Sequence, residues 1–426
     1  MVPEVYRVIA YPDSVRYLYS LGNEVKTIKF GLETVSRVLA ELGHPERSFR
    51  SVHVAGTNGK GSTCAMIEAG LRAAGHRTGL YTSPHLVEPT ERIRVNGVAV
   101  TEEQFTDAFV SVHAVAEKLL ATGEIEAHPT YFETVTAMGC LLFRELGVEI
   151  AVVEVGLGGR LDATNVLRPN LCVITPIDYD HEAWLGSSIE SIAGEKAGIL
   201  KLGVPAVIGP QRRQAMERIF QVAQQVGAPL ELASNWEGGS FLIDARGCSF
   251  RAARGSAVLD VRCALAGEHQ AINALVAAIA LYRLGCPVEG MAQARWPGRL
   301  ERVAEHPEII LDGAHNPAGV GALADYIRDF YAGRKVWIIY AAMRDKAVDE
   351  IGEMLSPVAS EVILTAVDSP RALRPEALAE LFTHRAVRTA PRLADALAIV
   401  RAEASPQDAV FITGSLYLVG EAKSIL

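Results

Sequence analysis

The segment His53-Val54-Ala55-Gly56-Thr57-Asn58-Gly59-Lys60-Gly61-Ser62-Thr63 concentrates residues suited to anion chemistry. An apolar, β-branched run enters a glycine-rich turn with one lysine, and a helix-compatible stretch from Ser62 to Ala74 follows. Backbone N–H groups of such a turn, and of the helix start behind it, face an anion. Gly56, Gly59 and Gly61 permit close backbone approach. Lys60 supplies a point charge for β- and γ-phosphates, and Ser62 a hydroxyl for Mg²⁺. The segment therefore predicts a nucleoside triphosphate site. Its spacing is not that of the common P-loop: only Thr57 and Asn58 separate Gly56 from the Gly59-Lys60 pair, and Gly61 separates Lys60 from Ser62. A strand-to-helix turn with a chance lysine is the plain alternative.

Further reactive residues follow other apolar runs. Thr82-Ser83-Pro84-His85-Leu86 comes after a short strand, where Ser83 offers a hydroxyl to a metal; a Ser-Pro turn explains the same residues. Glu154 ends the run Ile150–Val153, and a carboxylate there either meets a cation, Mg²⁺ or a partner such as Arg160, or titrates neutral. The glycines after it (Gly156, Gly158, Gly159) do not make a dinucleotide fingerprint. Asp178-Tyr179-Asp180-His181 follows a third strand, which sets a metal role for His181 against a surface one. Glu195-Lys196-Ala197-Gly198 ends a short helical segment. A desolvated lysine beside metals loses its proton easily and reacts with CO₂ to a carbamate, although a surface lysine fits the same letters. In Leu311-Asp312-Gly313-Ala314-His315-Asn316-Pro317, Asp312 is placed for a ribose hydroxyl and His315 for a substrate, unless the cluster merely caps the helix at Pro317.

The elements that must hold these residues are those of an α/β protein. A length of 426 residues implies two or three domains, and 49% apolar with 21% charged residues is ordinary for a globular chain. The net charge of −9 disfavours a broad nucleic-acid surface. Six scattered cysteines without a CxxC pair indicate thiols in a reducing compartment. With no apolar leader and no run of 18 apolar residues, the expected location is the cytoplasm, with no membrane contact. Strand and helix patterns alternate from residue 50 onward: helices over Glu102–Leu120 and Tyr131–Leu146, strands over Thr78–Thr82, Ile150–Val153 and Leu171–Thr175. This predicts a mostly parallel sheet. Ser240–Asp244 and Ala257–Cys263 predict a small antiparallel sheet at its edge, and a helix runs from about His269 to Leu284. Pro297-Gly298 marks a boundary between residues 1–296 and 297–426. The second part reads as a Rossmann-like doubly wound domain, with strands over Ile309–Leu311, Val336–Tyr340, Val362–Thr365 and Ala409–Thr413. Two such domains suggest a cleft that closes on its ligands.

Taken in order, these segments resemble the folylpolyglutamate synthase/dihydrofolate synthase family of the Mur ligase superfamily. The resemblance runs through Lys26-Thr27-Ile28, the Gly56–Ser62 loop, Ser83-Pro84-His85, Glu154 to Asn165, Asp180-His181 and Glu195 to Gly198. It continues with His269-Gln270 and Asn273, Pro297 to Glu301, Asp312 to Pro317, Ser369-Pro370-Arg371 and Gly414-Ser415-Leu416. It implies ATP-dependent addition of L-glutamate to dihydropteroate and to reduced folates through an acyl phosphate, in a monomer. Asn58, Gly59, Lys60, Gly61 and Ser62 would hold ATP phosphates, with Asn273, Arg299 and Asp312 completing the nucleotide site. Ser83 and Glu154 would bind one Mg²⁺, and His181 with carbamylated Lys196 a second. Lys26, Thr27, Ile28 and Lys29, Thr130, Tyr131, Phe132 and Glu133, and Leu161, Asp162 and Ala163 would line a pterin site. His315 and Ser415 would meet the glutamate, and Lys60, Lys196 and His315 form the implied catalytic set. Met343-Arg344-Asp345-Lys346 departs from the Ala-Asp-Lys-Asp more usual in the family.

Two other readings compete. A cell-wall peptide ligase of the same superfamily usually carries a nucleotide-sugar domain before the phosphate loop, and only Met1 to Val54 precede it here. A non-catalytic nucleotide-dependent switch would need the cradle but not Glu154, His181 and Lys196 at neighbouring strand ends.

Overall fold

Runs that are apolar without alternation become strands covered on both faces. The computed structural model describes residues 10–22, 31–344, 346–382, 384 and 386–426. An eight-stranded sheet is built from β1 (Arg50–Ala55), β2 (Thr78–Tyr81), β3 (Ile93–Val95), β4 (Val98–Ala99), β5 (Ile150–Glu154), β6 (Leu171–Ile174), β7 (Ala206–Ile208) and β8 (Leu230–Leu232). Their spatial order is β4-β3-β2-β5-β1-β6-β7-β8. Every pair from β2 to β8 is parallel, and only β2–β3 and β3–β4 are antiparallel. All residues of β2, β5 and β6 are buried, as a sheet with both faces covered requires. One apolar layer joins the Glu102–Ala121 and Tyr131–Glu145 helices to it, through Phe105, Phe109, Val135 and Phe143. Another joins the Ile189–Ala197 and Arg213–Val226 helices, through Ile192, Ile208 and Ile219.

Small elements escape the periodicity argument. The β3–β4 hairpin turns at Asn96 (φ 51°) and Gly97 (φ 78°), the left-handed pair that a two-residue hairpin demands. Residues 237–263 form a separate three-stranded sheet of β9 (Glu237–Asp244), β10 (Gly247–Arg254) and β11 (Ala257–Cys263), in the order β11-β10-β9. Two-residue connections make it antiparallel.

The chain separates into two compact units. The first comprises residues 1–238, 252–261 and 273–293, and the second residues 239–251, 262–272 and 294–426. A six-stranded sheet forms the centre of the second unit: β12 (Glu301–Glu305), β13 (Glu308–Leu311), β14 (Val336–Tyr340), β15 (Glu361–Leu364), β16 (Val387–Thr389) and β17 (Ala409–Thr413). The order is β12-β13-β17-β14-β15-β16, all parallel except β12. All six cysteines are free thiols. No helix among the described residues is long and apolar enough to cross a membrane.

Candidate active site

Four neighbouring strands, β2-β5-β1-β6, run parallel and end at the same edge of the sheet. Their ends carry Ser83, Glu154, the Gly56–Ser62 cradle and the Asp178–His181 loop in that lateral order. Residues from four separate stretches thus meet where ligands of open α/β sheets bind.

The cradle is held from two sides. Thr57 donates its hydroxyl proton to the Asp178 carbonyl oxygen (3.0 Å) and accepts from the Asp178 amide (3.1 Å). Asp178 is itself paired with Arg212 at 2.7 Å. Gly59 takes φ 82°, a left-handed position, just before the Lys60–Ala73 helix. A Cβ there would lie 2.1 Å from Asn273 Oδ1, so the turn seats directly on the Glu268–Arg283 helix. Asn273 is buried, and Lys60 Nζ donates to the Thr57 carbonyl at 3.2 Å.

Glu154 is 5% exposed and its Oε2 accepts from the Ser83 amide at 3.2 Å. Arg160 does not neutralise it; that guanidinium pairs with Glu195, through Nε at 3.1 Å and Nη2 at 2.9 Å. The same two segments touch through Gly159, whose Cβ would meet the Glu195 and Lys196 carbonyl oxygens at 2.7 and 2.9 Å. This close approach sets Lys196 against the cradle. Its ammonium is buried and donates to the Gly56 carbonyl at 2.8 Å. Burial first, and then the charge of Lys60, push the Lys196 pKa down to about 7. The buried Glu154 carboxylate and the Ser83 hydroxyl are hard oxygen donors, which fits Mg²⁺. His181 sits at φ 53° with Nε2 3.8 Å from Asp180 Oδ2.

A buried relay lies beneath the Leu161-Asp162-Ala163 turn. Asp162 accepts from the Leu157 amide (Oδ2, 2.8 Å), the Thr164 amide (Oδ1, 3.0 Å) and the Thr164 hydroxyl. Thr164 Oγ1 also lies 2.8 Å from Nε2 of His53, a fully buried residue of β1. Burial lowers the His53 pKa to about 3, so the ring is neutral. The Thr164 proton is committed to Asp162, so His53 donates from Nε2. His53 Nδ1, which is buried and has no partner among the described residues, then carries a lone pair. Reversing the chain would require a protonated Asp162 and leave a buried N–H unmet, the costlier fault. Burial does raise the Asp162 pKa, against the hydrogen bonds that lower it.

At the other proposed pterin segment, Thr130 and Glu133 form a capping box: Glu133 Oε2 accepts from the Thr130 amide at 2.8 Å and its hydroxyl at 2.9 Å. Tyr131 stacks on Tyr19 at 5.7 Å, and the Phe132 ring rests against Gly156. His85 accepts from Arg92 Nε at Nδ1 (2.7 Å) and bonds Tyr19 through Nε2 (3.1 Å), so burial and Arg92 lower its pKa to about 3. Lys26, Thr27, Ile28 and Lys29 lie outside the described residues.

In the second unit, β13 and β17 are adjacent and parallel, which brings Asp312 and Ser415 to neighbouring strand ends. Asp312 accepts from the Leu300 amide at Oδ2 and the Ala314 amide at Oδ1, both at 2.9 Å. Arg299 donates to the Gly298 carbonyl at 3.0 Å. His315 Nδ1 donates to the Gly313 carbonyl at 2.8 Å. The cap of the Pro317–Phe330 helix is Asn316, bonded to the Gly319 amide at 2.8 Å, so neither Asp312 nor His315 is consumed as the cap. Ser415 caps the Leu416–Ile425 helix through the Tyr417 amide at 3.2 Å. Thr57, His53, Thr164 and Glu195 are the supporting residues that motif reading missed. Thr57 was visible in the Gly-Thr-Asn-Gly turn, whereas the others depend on contacts between distant segments.

Comparison with known proteins agrees with this architecture. Residues 54–281 match the Mur ligase middle domain, and residues 298–416 the Mur ligase glutamate ligase domain. The chain is 35% identical to the dihydrofolate synthase/folylpolyglutamate synthase of Bacillus subtilis (strain 168), covering 98% of this chain and 99% of that protein. It is 34% identical to the enzyme of that name from Escherichia coli (strain K12), over 96% and 94%. The structure of Mycobacterium tuberculosis folylpolyglutamate synthase complexed with ADP superposes with a TM-score of 0.90 at 35% identity, over 97% and 98% of the two chains. E. coli FolC in complex with DHPP and ADP gives 0.88 at 33% identity, covering 98% of each chain. The chain belongs to the folylpolyglutamate synthase/dihydrofolate synthase family of Mur ligases.

Proposed function

We propose that this protein is an ATP-dependent amide ligase that adds L-glutamate to dihydropteroate and to reduced folates, releasing ADP and phosphate. The observation that carries the reading is the gathering of the cradle, Ser83, Glu154 and the Asp180-His181 loop on four adjacent strand ends, with Lys196 bonded to Gly56. A binding module would need only the cradle.

The chemistry follows from charge. A carboxylate resists amine attack until an oxygen is converted to a leaving group. Transfer of the γ-phosphoryl group of ATP to that oxygen gives an acyl phosphate and ADP. The glutamate amine attacks its carbonyl carbon, and the tetrahedral intermediate expels phosphate. Lys60, the amides of Gly59, Gly61 and Ser62, and the Asn58 side chain hold the phosphates, while Asn273, Arg299 and Asp312 hold the nucleoside. Ser83 and Glu154 would hold one Mg²⁺, and His181 with a Lys196 carbamate a second. When bound, the ions offset the negative charge gathered as carboxylate meets triphosphate. Asp162, fixed by Thr164 and two amides, orients the pterin together with Leu161, Ala163 and the segments Thr130–Glu133 and Lys26–Lys29. His315 Nε2 and the Ser415 hydroxyl receive the glutamate. In this reading residues 1–296 bind ATP, Mg²⁺ and pterin, and residues 297–426 form the glutamate-ligase part of a cytoplasmic monomer.

Incubation with ATP, L-glutamate and either dihydropteroate or a reduced folate, with mass analysis of the products, tests the assignment. Each acceptor should gain one glutamyl residue with one ADP formed, and hydroxylamine should trap the activated acyl group. Glutamate-independent ATP hydrolysis with no new amide would overturn it.

A further inference from the structure

The Glu102–Ala121 helix carries His113 and Glu117 one turn apart, on the same face. The following loop returns His128 to that face. Nε2 of His128 lies 2.9 Å and Nε2 of His113 3.8 Å from the same oxygen, Oε1 of Glu117. One donor atom from each residue falls within 4.8 Å of the other two. Ligands about 2.0–2.1 Å from a tetrahedral ion stand about 3.4 Å apart, and the two measured separations bracket that edge.

Packing supports the arrangement. The His113 ring lies parallel to Phe109 at 5.5 Å and meets the edge of Tyr17 at 4.6 Å. The His128 ring lies 5.8 Å from His113 with an interplanar angle of 14°. Burial holds the His113 pKa below its ordinary value, against the pull of Glu117, which favours the neutral ring that a metal requires. His113 is largely buried, whereas Glu117 is 45% and His128 29% exposed at the side chain, so the cluster is open to solvent on one side.

We propose that His113, Glu117 and His128 form a second, transition-metal site of the His₂Glu type, suited to Zn²⁺ rather than Mg²⁺. Imidazole nitrogens favour the softer ion, and an oxygen-only preference excludes Mg²⁺ from a site with one carboxylate. As the ion takes Nε2 of His128, the proton that now bridges to Glu117 passes through solvent to Nδ1 of the same ring, which stays neutral, and the fourth position holds water. Binding pins the 122–129 loop to the helix, immediately before the Thr130 cap. The site does not depend on the ligase reading, because none of its residues belongs to the strand-end cluster.

Titration of the full chain with Zn²⁺ in excess Mg²⁺ and ADP, which occupy the nucleotide site, tests the proposal. One Zn²⁺ should bind per chain, and Co²⁺ in its place should give the intense visible bands of a tetrahedral centre. His113→Gln, Glu117→Gln and His128→Gln should each weaken binding by at least about tenfold, since even outer-shell changes cost that much. Diethylpyrocarbonate labelling of the unmutated protein is the second measurement: Zn²⁺ should protect His113 and His128 together. Unchanged affinity in the three variants, or labelling of both histidines unaffected by saturating Zn²⁺, would overturn it.

Discussion

Lys196 reaches from the last turn of its helix to the carbonyl oxygen of Gly56, 2.8 Å away, at the mouth of the phosphate cradle. A cation is buried there beside a second cation, Lys60, and the pair disfavours the protonated amine. Carbamylation reverses the sign, replacing a repulsion by an attraction. Protein isolated in bicarbonate at pH 8, above the Lys196 pKa of about 7, should therefore carry one CO₂ at this side chain. Native mass spectrometry or a branched density in a crystal checks it, and a plain ammonium with metal bound refutes it. Lys196→Met should lower kcat by about 10²–10³-fold, the usual cost of removing one electrostatic stabiliser.

Lys60→Ala should slow the first half-reaction by about 10²–10³-fold, because no other residue of the turn brings a cation to the γ-phosphate. Hydroxylamine trapping in a single turnover is the direct readout. Full acyl phosphate formation in this variant would sink the assignment of the cradle.

Gly59→Ala and Gly75→Ala make a matched pair. Both glycines have positive φ, 82° and 91°, so each alanine carries a backbone strain of about 1–2 kcal/mol. Only at Gly59 does the new methyl strike a neighbour, Asn273; nothing lies within 4 Å at Gly75. A larger loss of urea stability is expected in Gly59→Ala than in Gly75→Ala, and weaker ATP binding only in Gly59→Ala. Equal ATP affinity in the two variants would contradict the seating of the turn on Asn273.

His53 makes stability depend on acid. Its pKa falls from 6.5 in the unfolded chain to about 3 in the folded one. Between these values the unfolded state binds more protons, so stability rises with pH across the window and is lost as pH drops toward 3. The slope from this residue is about 1.4 kcal/mol per pH unit. His53→Gln should flatten the dependence by that amount in urea unfolding at pH 6, 5 and 4. An unaltered slope would show that the ring is not held neutral.

Much of the architecture was legible because buried parallel strands announce themselves as short apolar runs, and reactive residues follow them. Glu154, Ser83 and the cradle could be placed at strand ends from Ile150–Val153, Thr78–Thr82 and the run into Ala55 alone. Partners could not. Arg160 stands six residues from Glu154 yet pairs with Glu195, because the glycine turn after β5 directs it to the Ile189–Ala197 helix. Segments 239–251 and 262–272 group with the second unit through long-range packing that no local break signals. The β3–β4 and β12–β13 pairs are too short, or too dependent on a turn, for hydrophobic period to reveal them. The cap at Asn316 shows a similar limit: Asp312, His315 and Asn316 are all chemically able, and geometry chooses one.

The central place of β1, between β5 and β6, has a consequence for synthesis on the ribosome. The glycine turn after β1 begins at Gly56, yet the strands that flank β1 end only at Glu154 and Ile174. A nascent chain must therefore leave this turn without its lateral support until more than a hundred further residues have emerged.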